Sequence, residues 1–191
     1  MKSEIDKALR TVRAATHRLA GADDQKRTEV IRELALRVRK STSELLSSNR
    51  RDLDRMDPTD PKYDRLLLNE ARIESIAADL EAVAGLPTAI GSVIEERSLD
   101  NGLHLSKVRV PLGVVAVIFE SRPNVTFDVF ALCLKSGNAC VLKGSRDAAD
   151  SNEVIVGLMH DALAACGMPQ ELVYLAPVSY THLTLPTIYS V

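Results

Sequence analysis

The 191-residue sequence lacks the patterns that mark several classes of protein. Its three cysteines, Cys133, Cys140 and Cys166, stand in apolar contexts without CxxC spacing, so neither a disulfide framework nor a zinc site is expected. The four histidines are scattered, and no metal site is expected from them either. No apolar run approaches the roughly 20 residues of a membrane-spanning helix, and the first residues do not form a signal peptide. We therefore expect a cytoplasmic protein with no membrane partner.

An excess of charge of either sign is also missing. Lysine and arginine number 24 against 26 aspartates and glutamates, and the two signs are interleaved. Binding to nucleic acid needs a basic surface that tracks phosphates, so this class of partner is not expected. Hydrophobic residues make up 46% of the chain and charged residues 26%, which is the composition of a globular protein with a substantial core.

The first part of the chain, residues 1–91, predicts helices. From residue 24 onward one helical face is apolar, and its members are Val30, Ile31, Leu34, Ala35 and Val38. Residues 41–44 match a capping box and predict the start of another helix. After the proline-containing segment 57–61, a second apolar stripe runs from Ile73 to Ala84 and is stopped by Gly85. We expect this part to be the helical portion of the domain that continues in residues 111–177.

Residues 92–110 change to a period of two. The segments 93–97 and 103–110 flank Asn101 and Gly102, the strongest short signal for a β-hairpin. Little sequence is left to cover its second face. The pattern predicts an arm that packs on another subunit or domain.

Residues 111–177 predict a β-α-β-α-β unit. The continuous apolar run 114–119 predicts a strand buried on both faces, followed by a buried helix over 125–135. A second strand over 139–142, a helix over 147–166 and a third strand over 172–175 complete the unit. Short connections in this order predict an α/β fold with a doubly wound, Rossmann-like parallel sheet.

Ligands bind such sheets beyond the carboxyl ends of the strands, which points to two loops. In the first, residues 120–124, the Asn124 amide could stabilise an oxyanion, or the residue could simply cap the following helix. In the second, Lys143, Gly144, Ser145 and Arg146 precede a helix and could cradle a phosphate. An ordinary strand-to-helix turn explains this second loop equally well, and no GxGxxG or GxxxxGK[ST] string is present.

Four strings resemble the γ-glutamyl phosphate reductases, a branch of the aldehyde dehydrogenase superfamily that is also called glutamate-5-semialdehyde dehydrogenase. They are DRLLLNE at 64–70, VPLGVV at 110–115, ESRPNVT at 120–126 and ALCLKSGN at 131–138. The resemblance implies an aldehyde dehydrogenase-like fold and an oxidoreductase that uses NADPH. Its reaction would reduce L-glutamyl 5-phosphate to L-glutamate 5-semialdehyde and phosphate, the second step of proline biosynthesis from glutamate.

The resemblance also implies roles for individual residues. The loop of Lys143, Gly144, Ser145 and Arg146 would contact the adenosine ribose and its phosphate, with Arg146 favouring NADPH over NADH. Asn124 would stabilise the oxyanion, and Ser121 and Arg122 would bind substrate. The hairpin would join subunits of a homo-oligomer, and the family implies functional coupling to glutamate 5-kinase.

The family's nucleophilic cysteine belongs to a separate, downstream catalytic domain, and none of the three cysteines here stands in its motif. Residues 178–191 carry no Asp, Glu, Lys or Arg and continue no pattern, so we expect them to be non-native and the chain to be an inactive N-terminal fragment. A stand-alone nucleotide-binding or interaction module without catalysis is the alternative.

Overall fold

The computed structural model describes residues 2–178, and the side chains of residues 4–178. The predicted non-native tail, residues 178–191, therefore lies outside the described residues except for Val178. The helices are α1 (Lys2–Ala20), α2 (Asp24–Lys40), α3 (Thr42–Leu53), α4 (Tyr63–Leu66), α5 (Glu70–Ala84), α6 (Pro123–Lys135) and α7 (Ala149–Ala165). The strands are β1 (Val93–Ser98), β2 (His104–Val108), β3 (Val114–Ile118), β4 (Ala139–Lys143) and β5 (Val173–Leu175). Short 3-10 turns, Arg146–Ala148 and Gln170–Leu172, precede α7 and β5.

The predicted apolar faces of α2 and α5 are confirmed. All five residues of the α2 stripe are buried, and the α5 stripe is buried except for the half-exposed Val83. Each helix begins at a side-chain cap, because Asp23 accepts a hydrogen bond from the Lys26 amide and Asn69 accepts one from the Arg72 amide, both at 2.8 Å. The two stripes face each other, and α2 and α5 form the most extensive helix pair in the described chain.

The capping box predicted at residues 41–44 is wrong, although α3 does begin at Thr42. Ser41 makes no side-chain cap hydrogen bond. It also ends α2, and its amide donates to the Arg37 carbonyl at 2.8 Å. With φ −97° and ψ 19° its backbone is not in the extended conformation of a capping residue. One residue joins the two helices and cannot adopt the geometry that the box requires.

The hairpin is confirmed as an antiparallel pair of β1 and β2, with Ser98 opposite His104 and Val93 opposite Val108. The turn is wider than two residues, because the Leu99 amide donates to the Leu103 carbonyl at 2.9 Å. Within this turn, Gly102 is the residue with a positive φ, at 86°, whereas Asn101 has none. Every residue of both strands is exposed, so the described chain itself leaves both faces of the arm uncovered.

The predicted parallel sheet is also confirmed, with the strand order β3-β4-β5. Helix α1 packs on all three strands. Helix α6 contacts β4, α7 contacts β5, and these two helices contact each other. Since α1 shares no substantial contact with α6 or α7 in the described part of the chain, the sheet lies between them. One apolar core joins this sheet to α2 and α5, and the central strand β4 lies inside it. Among the described helices, none is long and apolar enough to span a bilayer.

The burial predicted for the first strand is wrong. In β3 the side chains of Ala116 and Ile118 are exposed, Ile118 by 67%. The apolar run 114–119 does form a strand, but β3 is the edge of the sheet, and the part of the chain described here does not cover its outer face. An apolar run reports hydrophobic content and does not distinguish a central strand from an edge strand.

The ALCLKSGN string has a structural explanation at the end of α6. Lys135 is only 6% exposed, and its Nζ donates to Asp24 Oδ2 at 3.0 Å, to Thr28 Oγ1 at 2.8 Å and to the Ala84 carbonyl at 3.2 Å. It therefore joins α2, α5 and α6. Gly137 has a φ of 75°, and a Cβ there would collide with side-chain atoms of Ile90 and Pro111.

Candidate functional site

The two predicted loops meet because β3 and β4 are adjacent and parallel, with Ile118 beside Lys143 at their carboxyl ends. Asp147 joins the loops. Its Oδ2 accepts a hydrogen bond from Ser121 at 3.1 Å and one from Ser145 at 3.0 Å. Ser145 in turn accepts from the Asp147 amide at 3.2 Å and caps the 3-10 turn. Asp147 is not among the predicted site residues, because its signal in the sequence is only an acidic side chain at the predicted start of a helix.

Gly144 lies where α6 and α7 approach this loop. Thr126 donates to Asn152 Oδ1 at 2.7 Å, and both side chains are buried. The amide group of Asn152 then lies directly over Gly144, where a Cβ would collide with it and would also meet the Phe119 ring at 3.4 Å. Any other residue at position 144 must displace a hydrogen-bonded, buried amide.

Lys143 ends β4 as a half-buried side chain. Its Nζ donates to the carbonyls of Gly144 and Val178, each at 3.3 Å. Arg146 is exposed and has no ion-pair partner among the described residues. It lines a cavity of about 350 Å³ together with Lys62 and four aspartates, which are Asp52, Asp57, Asp60 and Asp147. Lys143 and Arg146, at the two ends of the loop, form no ion pair with a carboxylate among the described residues, and the predicted contact with a cofactor phosphate stays a prediction.

Asn124 is the second residue of α6 and is exposed. The helix begins at Pro123 after Arg122, whose backbone is extended and whose side chain makes no cap hydrogen bond. The capping role considered for Asn124 is therefore wrong. Its amide has no hydrogen-bond partner within the described part of the chain, which leaves both N–H groups and the oxygen for a ligand.

The Asn124 side chain lines a cavity of about 290 Å³ between α5, the first turn of α6 and residues 64–68. Arg122 lies in the same cavity, but Ser121 does not. Ser121 is 4% exposed and is bound to Asp147 instead. The structure therefore separates the two residues predicted to bind substrate, placing Ser121 between the loops and Arg122 in the cavity.

The DRLLLNE string forms one wall of this cavity. Arg72 donates to Asp64 Oδ1 at 2.8 Å and to the Leu67 carbonyl at 2.7 Å. Leu66 and Leu68 are buried, and the buried Asn49 holds them from behind through the Leu66 carbonyl and the Leu68 amide. The wall is thus fixed by side chains on both of its sides.

No described cysteine has the surroundings of an activated nucleophile. Cys133 and Cys140 are buried free thiols. The hydrogen bond between them lowers the pKa of Cys133 and, together with burial, raises the pKa of Cys140 well above its usual value, so the shift stays within a buried pair of thiols. Burial raises the pKa of Cys166. Within the described residues, no group of three or more His, Cys, Asp or Glu side chains is placed to hold a metal ion.

Comparison with known proteins gives consistent matches. The aldehyde dehydrogenase family model matches residues 1–181. The γ-glutamyl phosphate reductase of Chlorobium phaeobacteroides is 52% identical over 177 residues, which are 93% of this chain and 42% of the relative. The crystal structure of the enzyme of that name from Thermotoga maritima aligns with a TM-score of 0.83 and 34% identity over 90% of this chain and 42% of that one. The Saccharomyces cerevisiae structure of that name also aligns with a TM-score of 0.83, at 28% identity, over 91% of this chain and 46% of that one. The chain spans about two-fifths of the length of the curated relatives it matches.

Proposed function

The chain belongs to the aldehyde dehydrogenase family, and on that premise we propose that it forms the cofactor-binding and oxyanion-binding part of an NADPH-dependent γ-glutamyl phosphate reductase. The reaction consumes L-glutamyl 5-phosphate, NADPH and a proton, and yields L-glutamate 5-semialdehyde, phosphate and NADP⁺. The name and 52% identity of the Chlorobium relative support this substrate. The observation that carries the proposal is the Asn124 amide, which lines a cavity and has no partner among residues 4–178, next to the loop whose Lys143 and Arg146 form no ion pair there.

Asn124 would act on the acyl group. When a nucleophile adds to the acyl phosphate, negative charge develops on the carbonyl oxygen, and a fixed amide N–H stabilises that charge by hydrogen bonding. The amide is positioned for this by the rigid first turn of α6, whose first residue is Pro123. No described cysteine suits the role of nucleophile. We therefore propose that residues 1–191 alone do not catalyse the reduction of the acyl phosphate.

Lys143 and Arg146 would hold the cofactor. NADPH carries a phosphate on its adenosine ribose, and it supplies the hydride for the reduction. The Lys143 ammonium donates only to carbonyls, and Arg146 has no ion pair in the described part of the chain, so both can accept an anionic partner without breaking an internal ion pair. Their positive charges would favour the extra phosphate that distinguishes NADPH from NADH.

The hairpin would join subunits of a homo-oligomer. Its apolar side chains, which include Leu103 and Leu105, are about half exposed and have no cover in the described chain. We propose that a second copy covers them. Coupling of the assembled enzyme to glutamate 5-kinase remains part of this proposal.

The test is a chimera in which residues 1–177 replace the matched segment of the Chlorobium phaeobacteroides reductase. We expect it to restore growth without proline to a bacterium that lacks γ-glutamyl phosphate reductase. We also expect the purified chimera to reduce NADP⁺ in the phosphate-dependent reverse reaction with glutamate 5-semialdehyde.

The unmodified relative serves as the positive control, and its C-terminal part alone serves as the negative control. A chimera that is folded by circular dichroism, yet neither restores growth nor reacts with the semialdehyde, would contradict the proposal. A preference for NAD⁺ over NADP⁺ would contradict only the cofactor assignment.

A further inference from the structure

The cavity at Asn124 contains unpaired charges of both signs. Arg122 and Asp79 both line it, and the side chain of neither forms an ion pair or hydrogen bond with another residue in the described chain. The other charged side chains that line the cavity form ion pairs. Asp64 and Arg72 neutralise each other at 2.8 Å, and Arg65 lies 3.7 Å from Glu120. A free cation, a free carboxylate and a free amide therefore open into one space of about 290 Å³.

Helix α5 presents Asp79 to this space. Arg72, Ser75 and Asp79 are spaced by three and then four residues, which places them on one helical face, and all three line the cavity. Arg72 is locked by the Asp64 carboxylate and the Leu67 carbonyl. Asp79 is consequently the carboxylate of this face that remains for a ligand.

Asp79 and Asn124 line the cavity from two helices that pack on each other, Asp79 from α5 and Asn124 from the first turn of α6. The charge of Asp79 also acts on α6. The pKa of Asp128 is raised by burial and, secondarily, by the negative charge of Asp79.

A γ-glutamyl group is short enough to lie within this one cavity. Its α-carbon is three carbon–carbon bonds of about 1.5 Å from the acyl carbon, with the ammonium one bond beyond. With the acyl oxygen at Asn124, the ammonium then lies in the space that Asp79 lines. The carboxylate on the same α-carbon then needs a cation, and Arg122 is the unpaired one in this cavity.

Resting on the proposed function, we propose that the cavity recognises the zwitterionic head group of the substrate, with Asp79 binding its α-ammonium and Arg122 its α-carboxylate. Asp79 is then a specificity-determining residue. It selects an α-amino acid over the dicarboxylic analogue that lacks the amine, since binding without the ammonium leaves its charge unpaired.

The test uses the 191-residue chain and two stable probes, L-glutamic acid 5-methyl ester and glutaric acid monomethyl ester, which differ in the α-ammonium. Binding is followed by ¹⁵N NMR titration of the backbone amides. We expect the first ester to bind about tenfold more tightly, as a charge-assisted hydrogen bond provides, and to shift the Asp79 and Asn124 amides. Asp79→Asn should abolish this preference, and Asp79→Glu should retain part of it.

Glu70→Gln is the matched control, because it removes one exposed carboxylate from the start of α5 away from the cavity, and it should keep the preference. Equal affinity of the two esters for the wild-type chain, or a preference unchanged in Asp79→Asn, would overturn the head-group site. Absence of any shift at Asp79 would overturn it as well. The proposed function is judged separately by growth of the chimera, so its failure is distinguishable from failure of this site.

Discussion

Asn124 and Lys143 divide the proposed reaction between the acyl group and the cofactor, and substitutions should separate the two contributions. In the chimera, Asn124→Ala removes an oxyanion donor and should lower kcat about 100-fold or more with little change in KM for NADPH. Lys143→Ala removes a charge that acts in binding and should mainly raise KM for NADPH, by about tenfold. Steady-state kinetics with varied NADPH measure both effects.

Lys40→Ala is the control for loss of a lysine, because Lys40 is exposed at the end of α2. If Lys143→Ala left KM for NADPH unchanged, the cofactor loop would be assigned wrongly. If Asn124→Ala kept the wild-type kcat, its amide would not contact the reacting oxygen.

Gly144 should tolerate no side chain. Gly144→Ala pushes a methyl group into the buried Asn152 amide, and we expect it to lower the free energy of unfolding by about 1–3 kcal/mol. Gly157→Ala is the matched control, because it lies within α7, is exposed and has open space around its Cβ. That substitution should raise stability by up to about 1 kcal/mol through helix propensity. Urea unfolding of both variants tests the difference, and equal stabilities would show that the Asn152 amide moves freely.

Asp128 should make stability depend on pH. Because its pKa in the folded chain is raised, first by burial and then by Asp79, the folded state favours the neutral acid. Its favourable contribution is present at low pH and is lost as pH rises through the folded pKa. Asp128→Asn should therefore gain stability relative to wild type on going from about pH 3 to about pH 7. Urea unfolding at both pH values measures this, and a difference that does not change with pH would contradict it.

Some of these residues were accessible from sequence and others were not. Asn124 and Lys143 both follow predicted strands, and Asn124 also lies in a string of a known family, so the sequence selects them. Asp79, Asp147 and Asn152 stand in ordinary helical contexts. They matter because the fold brings them close to residues that are distant in sequence, and no spacing along the chain encodes such contacts.

At the scale of elements, the N-terminus of α7 depends on a carboxylate from another helix. Asp52 of α3 is buried and accepts hydrogen bonds from the Asp150 amide at 3.1 Å, the Ser151 amide at 2.8 Å and the Ser151 hydroxyl at 2.6 Å. Burial raises the pKa of Asp52, while these hydrogen bonds act in the opposite direction. The carboxylate thus serves as a remote cap for the first turn of α7.

Asp52→Ala should destabilise the chain by about 1–3 kcal/mol, because two amides at the helix terminus lose their acceptor. Asp54→Ala, two residues away, removes an exposed carboxylate whose ion pair among the described residues is with Arg50 on the surface. It should change stability by less than about 1 kcal/mol. Thermal or urea unfolding of the pair measures the difference. Equal effects in both variants would show that the remote cap contributes nothing.

Sequence periodicity predicted nearly every element but not its surroundings. The hairpin, the parallel strands and the long helices follow from periods of two and 3.6 together with Gly and Pro stops. The length of the hairpin turn and the join at Ser41 depend on local backbone angles. The exposure of β3 depends on which elements cover it. A hydrophobic pattern contains neither the backbone angles nor the covering elements.

At the scale of the whole molecule, the hairpin stands apart from the core. In the described chain β1 and β2 contact each other extensively and no other element substantially, and all of their residues are exposed. A two-stranded hairpin alone is marginally stable, so it should open locally without unfolding the core. At a concentration low enough to keep the chain monomeric, we expect amide hydrogens of β1 and β2 to exchange about 100-fold faster than those of β4.

Hydrogen exchange of the 191-residue chain, followed by NMR, measures this directly. The β4 amides serve as the internal reference for global opening, because that strand is central and buried. Protection of the hairpin equal to that of β4 would mean that a further contact stabilises the arm, for example a second copy of the chain. Repeating the experiment at tenfold lower concentration separates these cases.

Because Asp147 binds both loops, their sequences should evolve together. One oxygen of its carboxylate serves Ser121 from the loop after β3 and Ser145 from the loop after β4. A homologue that lost either serine would leave that oxygen with one hydrogen bond instead of two. A homologue that lost the aspartate would leave both hydroxyls without this acceptor. These three positions should therefore be inherited as a unit, so that the loops after β3 and β4 change together in descent.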